Sequence, residues 1–193
     1  MTAVLEDRPR SVVAVSGSLQ SPSKTSVLVR SVADAVAARR DVQLRVIEVS
    51  ELGPQLAGSL RRDTMPASAQ DAIDAIERAD LLIVGSPVYR ASFTGLFKHL
   101  FDFVGQYSLV GTPVLLTATG GSERHALTIE HQLRPLFGFF QALTLPLGVY
   151  GSDGDFADYR IASDSLHERV EQAADRAVPL LDLRVTQARP SNW

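Results

Sequence analysis

The segment with the clearest chemical character is the hydroxyl-rich stretch SGSLQSPSKTS, residues 16–26. It follows an apolar, β-branched run and leads into a helical pattern, so it ends at a predicted helix N-terminus. Unpaired backbone amides and the helix dipole favour an anion there, and hydroxyls add donors. The spacing is neither GxxxxGK[ST] nor GxGxxG. It predicts a site for one phosphate rather than for a triphosphate or a dinucleotide, with a serine-rich N-capping turn as the alternative.

Two further loops have the composition of ligand-binding segments. Residues 85–95, GSPVYRASFTG, place a proline that fixes φ before an aromatic residue. The backbone amides of this loop could face the edge of a flat heterocycle while Tyr89 packs beside it. Residues 117–125, TATGGSERH, contain paired glycines that let the backbone approach a ligand closely. Each loop alone could be a packing turn, but three such loops at one place favour a binding site.

The elements that must position these loops are five short strands. They are predicted at residues 11–16, 42–49, 81–85, 113–118 and 143–150. The third and fourth are apolar on both faces, as central strands of a parallel sheet are. The fifth contains Pro146, and this argues for an edge position.

Helical patterns lie between the strands, at residues 25–39, 67–79 and 93–105 and near 124–137 and 163–181. Pro135 is expected to kink or break the fourth, and Ser163 or Asp164 to cap the last. Strand–helix alternation predicts a parallel sheet covered on both faces. Five strands indicate a flavodoxin-like three-layer α/β sandwich of order 2-1-3-4-5. Its ligand crevice lies at the carboxyl ends of strands 1, 3 and 4, where the three loops would meet.

Length and composition limit the classes of function. The 193 residues fit one domain, residues 1–193, with an ordered core at about 11–183 and frayed termini. A net charge of −3 gives no footprint for nucleic acid or an anionic membrane. The lack of cysteine excludes disulfides and thiolate sites. Residues 1–10 lack the apolar core of a signal peptide, and no apolar run approaches a membrane span, so a cytoplasmic location is expected.

These motifs resemble those of the NAD(P)H-dependent FMN reductase family. The resemblance covers about residues 12–181, and its most specific stretches are GSPVYRASFTGLFKHLFD, residues 85–102, and TATGGSERHALTIEHQLRP, residues 117–135. Within the family, the chain is most similar to flavin reductases of two-component alkanesulfonate and methanesulfonate monooxygenases. The resemblance implies FMN and either NADPH or NADH as cofactors, and a monooxygenase that consumes the reduced flavin.

The resemblance also implies site residues. It implies FMN phosphate contacts at Ser18, Gln20, Ser23, Thr25 and Ser26, ring contacts at Pro87, Val88, Tyr89 and Arg90, and further flavin contacts at Thr119, Gly120, Gly121 and Ser122. Two positions depart from the family pattern. Gln20 stands where the family motif GSxRxxS has an arginine, and this predicts weaker phosphate binding unless Lys24 substitutes. His131 stands where the alkanesulfonate reductases have a tyrosine.

Hydride transfer between a nicotinamide and a flavin needs no side-chain nucleophile or general acid. We therefore expect no catalytic residue in the strict sense, with Arg90 and His125 as candidates to assist. The amides of residues 88–90 and the Arg90 guanidinium are expected to offset charge on the reduced flavin. No metal site is expected, and the turn at residues 153–155 is predicted to be solvated. We expect no second aromatic residue of these loops to sandwich the ring against Tyr89.

Three functions remain open on the sequence alone. An FMN reductase that releases its flavin is the first. A quinone, azo-dye or metal-oxyanion reductase with tightly bound FMN is the second, and a one-electron carrier of the flavodoxin type is the third. The helix at residues 93–105 has more phenylalanines than one buried face needs, and this favours a homodimer or homotetramer. The other two histidines, His99 and His167, are predicted to lie on the surface.

Overall fold

One parallel sheet organises residues 8–183, the part of the chain that this computed structural model describes. Its strands are β1 (Arg10–Ser16), β2 (Val42–Glu48), β3 (Leu81–Pro87), β4 (Pro113–Gly120), β5 (Leu143–Thr144) and β6 (Val149–Ser152). The order is β2-β1-β3-β4-β5, and β6 also pairs with β4. The predicted flavodoxin-like order is confirmed. The predicted fraying of residues 1–7 and 184–193 lies outside the described residues, whereas Arg10 already belongs to β1.

The predicted fifth strand is two strands with different registers. Leu143 pairs with Pro113 of β4, but Val149 pairs with Thr117, so an advance of six residues along the edge matches an advance of four along β4. Pro146 lies in the interruption, where its missing N–H removes no ladder hydrogen bond. The edge position is confirmed, and the continuous strand at residues 143–150 was wrong because hydrophobic periodicity does not reveal a change of register.

Helices cover both faces of the sheet. They are α1 (Lys24–Ala37), α2 (Val49–Ala57), α3 (Ala67–Glu77), α4 (Gly95–Asp102), α5 (Arg134–Phe139) and α6 (Asp164–Ala177). Alternate strand residues separate the two cores, so that Val12 and Leu81 pack with α1 and α6, and Val13 and Leu82 with α2 to α5. The result is the expected three-layer sandwich. No helix within residues 8–183 is long and apolar enough to cross a membrane.

The sequence analysis did not predict α2. In the fourth helical region it predicted one α-helix near residues 124–137, whereas the structure has a π-helix followed by a short α-helix. α2 contains a glycine and Pro54, both helix breakers, but it is held by burial of Val49 and Leu56. In the fourth region, a π-helix at Ile129–Leu133 runs directly into α5. The hydrogen-bond pattern changes from π to α beside Pro135, where a helix must lose a hydrogen bond. The helix nevertheless continues to Phe139, so the expected break at Pro135 does not occur.

The phenylalanines of the α4 region pack against one another and against the core of the same chain. The Phe97 and Phe101 rings lie 4.8 Å apart, and Phe101 meets Phe137 edge-on at 5.1 Å. Phe93 and Phe103 pack against the same cluster. These residues are therefore accounted for by packing within the chain, and the homodimer or homotetramer stays a prediction.

His99 is not a surface residue. It is half-buried, and its Nε2 lies 3.0 Å from the Leu56 carbonyl oxygen and 2.9 Å from that of Ser59. Because both neighbours are acceptors, Nε2 must carry a proton. His99 therefore ties α4 to the end of α2. His167 is exposed, as predicted.

Candidate active site

The first loop leaves β1 in close contact with its neighbours. The Gly17 amide donates to the Gly85 carbonyl at 2.7 Å, and the Thr94 hydroxyl donates to the Gly17 carbonyl at 2.8 Å. A Cβ at Gly17 would lie 2.6 Å from the Phe97 ring, closer than real contacts allow. Only glycine fits here, and the backbone is thereby pressed against β3 and α4.

The N-terminus of α1 has the features of an anion site. The hydroxyl of Ser23 caps the helix by accepting from the Ser26 amide at 3.3 Å, and the first turn contains no acidic residue. Ser18, almost fully buried, shapes the preceding turn, because its hydroxyl bonds both the carbonyl and the amide of Gln20. Free helix amides and the positive end of the dipole are thus presented beside a row of hydroxyls.

The second loop is a tight turn whose amides are already engaged. The Val88 amide donates to the Thr119 carbonyl at 2.7 Å, and Tyr89 and Ser92 exchange backbone hydrogen bonds. Arg90 and Ala91 have φ of 51° and 68°, as a type I′ turn requires, although neither is glycine. Our expectation that the amides of residues 88–90 face a ligand was therefore wrong for Val88 and Tyr89.

The third loop is joined to the first through buried hydroxyls. The hydroxyl oxygens of Thr25 and Thr119 lie 2.6 Å apart. A Cβ at Gly120 would lie 2.4 Å from the Tyr150 hydroxyl, which donates to the Ser122 carbonyl at 2.6 Å. Burial, followed by the nearby negative charges, raises the pKa of Tyr150 to about 12. Tyr150 is therefore a neutral donor that fixes the turn.

The three loops enclose one side of an open cleft of about 280 Å³ at the carboxyl ends of β1, β3 and β4. Its lining consists of Ser18, Gln20, Pro22, Ser23, Lys24, Thr25, Pro87, Val88, Tyr89, Thr119, Gly120, Gly121, Asp153 and Tyr159. Ten of the thirteen residues proposed from the sequence are among these. The sequence thus located the cleft, and the role of these ten as flavin contacts stays a prediction.

Three proposed contacts do not line the cleft. The Ser26 hydroxyl donates to the buried Glu48 carboxylate at 2.7 Å, where Arg30 completes an ion pair at 2.9 Å. Arg90 is exposed in its turn, and the carbonyl of Ser122 is taken by Tyr150. The sequence placed all three in the right loops but could not show which way their side chains point. The candidate assistant His125 is exposed, with its Cβ near Gly120.

Four lining residues were not proposed as contacts, and two of these follow β6. Tyr159 lies at the tip of a hairpin formed by β7 (Phe156–Ala157) and β8 (Arg160–Ile161), in a turn where Asp158 and Tyr159 have φ of 47° and 55°. It supplies a second aromatic side chain to the cleft from outside the three loops. The hairpin has two-residue strands and no glycine in its turn, so no sequence signal marked it.

Asp153 and Asp155 also depart from the expected solvated turn. The Asp155 carboxylate is buried and accepts from the Ser152 amide and hydroxyl, at 2.8 and 2.9 Å. Asp153 is exposed, but it pairs with Lys24 at 2.8 Å. This turn therefore connects the cleft to the N-terminus of α1. Within residues 8–183, no group of three or more histidine or acidic side chains is arranged to hold a metal ion.

The chain is similar to known proteins over most of its length. Residues 10–157 match the family model of NADPH-dependent FMN reductases. The chain is 51% identical to the NADH-dependent FMN reductase SfnF of Pseudomonas fluorescens, over 90% of this chain and 92% of that protein. It is 52% identical to an FMN reductase (NADPH) of Pseudomonas aeruginosa, over 89% and 92%. The apo structure of the NADH:FMN oxidoreductase EmoB superposes with a TM-score of 0.80 at 34% identity, over 88% of this chain and 89% of that one. The chain belongs to the NADPH-dependent FMN reductase family.

Proposed function

We propose that this protein reduces FMN with NADH or NADPH and releases the reduced flavin to a separate monooxygenase of sulfonate metabolism. The observation that carries the proposal is the cleft itself, which has a helix N-terminus at one end and a rigid proline–aromatic turn at the other. Relatives that are about half identical to this chain are named FMN reductases with NADH or NADPH as the reductant.

The residues of the cleft fit FMN. At the phosphate end, Ser23 has a hydroxyl that accepts from the Ser26 amide and can still donate, and Lys24 offers a positive charge. The buried hydroxyls of Ser18 and Thr25 lie beside them but are engaged with Gln20 and Thr119. At the other end, Pro87 and Tyr89 form one wall, and the absence of a side chain at Gly121 lets the backbone approach a flat ring. A polar end with a helix N-terminus and a partly apolar end are what an amphipathic flavin nucleotide requires.

When bound, FMN supplies the ring that accepts a hydride, and the chain supplies binding and orientation. The internal bonds of Val88 and Tyr89 hold the second loop rigid, so that Tyr89 and Pro87 keep one position beside the ring. Because proximity of the two rings is the main catalytic contribution, a rigid wall is more useful than a reactive side chain.

The charges of the cleft favour a flavin that dissociates. Gln20 lines the cleft as a neutral, exposed side chain where the family motif has an arginine. A charge-assisted contact to phosphate is thereby lost. We expect micromolar affinity for FMN, about −8 kcal/mol, and colourless protein after purification.

Steady-state oxidation of NADH and NADPH with FMN, FAD, riboflavin and a quinone tests the proposal. We expect turnover to saturate with added FMN and to exceed that with the quinone. Stoichiometric FMN that survives gel filtration, with turnover independent of added flavin, would contradict it. That result would favour a quinone or azo-dye reductase with bound FMN.

The remaining parts of the proposal concern assembly and location. Phe139 is 60% exposed and Leu143 is 42% exposed, both at the β5 edge of the sheet. Contiguous exposed apolar patches mark contact surfaces, and we propose that these two residues belong to a homodimer or homotetramer contact here rather than on α4. Phe139→Ser should then lower the assembly mass in light scattering.

Since nicotinamide cofactors are held inside cells, the proposed location is the cytoplasm.

A further inference from the structure

Lys24 occupies an unusual position for a cation. It is the first residue of α1, where the helix dipole is positive and a positive side chain is unfavourable. Of the described residues that line the cleft, it is the only cationic side chain. Its Nζ also lies 6.0 Å from the centroid of the Phe156 ring, which keeps the ammonium at the rim of the cleft.

Asp153 is the only anionic side chain among the same lining residues. Its Oδ1 lies 2.8 Å from the Lys24 Nζ, and its Oδ2 lies 4.0 Å from where a Cβ of Gly121 would be. The carboxylate therefore stands between α1 and the third loop. It cancels the one positive charge that the cleft offers to a phosphate.

The pair is exposed enough to exchange partners. The Lys24 side chain is 33% exposed and that of Asp153 is 64% exposed. Ion pairs of this kind contribute little to stability because water and salt screen them. A phosphate dianion at the N-terminus of α1 would attract the ammonium more strongly than one carboxylate does, so the phosphate and Asp153 compete for the same cation.

We propose that Asp153 weakens the binding of the flavin phosphate by competing with it for Lys24. The inference rests on the proposed function, because it needs a phosphate at this helix terminus. In a reductase that must release its product, such competition keeps the flavin dissociable. Asp153 is on this view a specificity-determining residue that acts through Lys24 and does not touch the reacting ring.

The test compares dissociation constants of FMN and of riboflavin, which lacks the phosphate, by quenching of flavin fluorescence. Asp153→Asn should tighten FMN about three- to ten-fold, the effect of one unit charge at several ångströms in a solvated site. Riboflavin should change by less than about two-fold on the same scale. The matched control is Asp158→Asn, which removes the same charge from the neighbouring turn at a residue that does not line the cleft. It should alter neither constant.

A second comparison isolates the role of Lys24. Lys24→Met should weaken FMN, and Asp153→Asn should then add less than about a two-fold gain, because the contested ammonium is gone. A full gain in the Lys24→Met background, an equal gain for both flavins, or no gain at all would overturn the inference. If wild-type protein binds FMN no better than riboflavin, the phosphate site fails as well. If it prefers FMN but Asp153→Asn has no effect, only the inference fails.

Discussion

The hydroxyls of Thr25 and Thr119 lie 2.6 Å apart in the interior and join the first turn of α1 to the end of β4. Both residues are almost fully buried, so neither hydroxyl can turn to water instead. The bond sets the distance between the two ends of the cleft. One end lies at the helix terminus that is proposed to bind the phosphate, and the other lies at the glycine loop that would face the ring.

Replacing Thr119 by valine should leave the Thr25 hydroxyl buried without its partner. We expect the free energy of unfolding to fall by about 1–3 kcal/mol, the usual cost of such a group. The double variant Thr25→Val/Thr119→Val should be less destabilised than the sum of the single variants, since it leaves no orphaned hydroxyl. Urea unfolding of the four proteins measures this coupling. Additive effects would show that the two hydroxyls do not depend on each other.

The sequence predicted the fold well where strands are fully buried. The runs at residues 81–85 and 113–118 are apolar on both faces, a pattern typical of strands in the middle of a parallel sheet. It failed where tertiary contacts override local signals. α2 forms around Pro54 because Val49 and Leu56 are buried, and the edge strand divides at Pro146 because two registers along β4 are used.

The sequence predicted the site mainly from where its loops follow the strands, and less from the chemistry of individual side chains. Loops that follow central strands must meet at one edge, so their residues were found together. Side-chain direction is set by partners that are distant in the chain. Ser26 was misassigned because its hydroxyl bonds Glu48, which lies 22 residues away. Tyr159 was missed because its turn reaches positive φ without glycine or asparagine.

Gly17 in the first loop and Gly121 in the third loop should respond very differently to alanine. A Cβ at Gly17 would lie 2.6 Å from the Phe97 ring, whereas at Gly121 the nearest atom is 4.0 Å away. Gly17→Ala should lower the free energy of unfolding by about 1–3 kcal/mol through overpacking. Gly121→Ala should change it by less than about 0.5 kcal/mol, as most unstrained surface substitutions do. Thermal unfolding of both variants tests the pair, and equal losses would contradict the packing argument.

Tyr159 should contribute to flavin binding. Its side chain lines the cleft from a hairpin turn with two positive φ values, a conformation that non-glycine residues adopt at a cost. Tyr159→Ala should weaken binding of FMN and of riboflavin alike, by about 1 kcal/mol if the ring packs against the flavin. Tyr107→Ala, at a tyrosine that does not line the cleft, is the matched control. A loss confined to FMN would instead assign the tyrosine hydroxyl to the phosphate.

Asp155 should make the turn after β6 sensitive to acid. Burial alone would raise the pKa of this carboxyl, but hydrogen bonds from Ser152 and Ser163 overcome it and hold the pKa below the usual value of 3.8. A carboxyl whose pKa is lower in the folded than in the unfolded state stabilises the fold at pH values above its unfolded-state pKa. This contribution is lost as the pH falls through the folded-state pKa. Asp155→Ala should therefore cost about 2 kcal/mol at pH 7, with a difference from wild type that shrinks below about pH 4. Chemical denaturation at several pH values measures it, and a pH-independent difference would contradict the assignment.

Gln20 offers a gain-of-function test of the phosphate end. Its side chain is exposed and lines the cleft, so a longer side chain has room there. Its backbone N–H donates to the Ser18 hydroxyl at 3.2 Å, which holds the turn in place. Gln20→Arg should tighten FMN by about 1–2 kcal/mol through a charge-assisted contact and leave riboflavin unchanged. Gln20→Met is the neutral control of similar length and should tighten neither flavin. Turnover of the arginine variant should fall at saturating FMN if release of reduced flavin becomes limiting. Unchanged FMN affinity would mean that residue 20 points away from the phosphate.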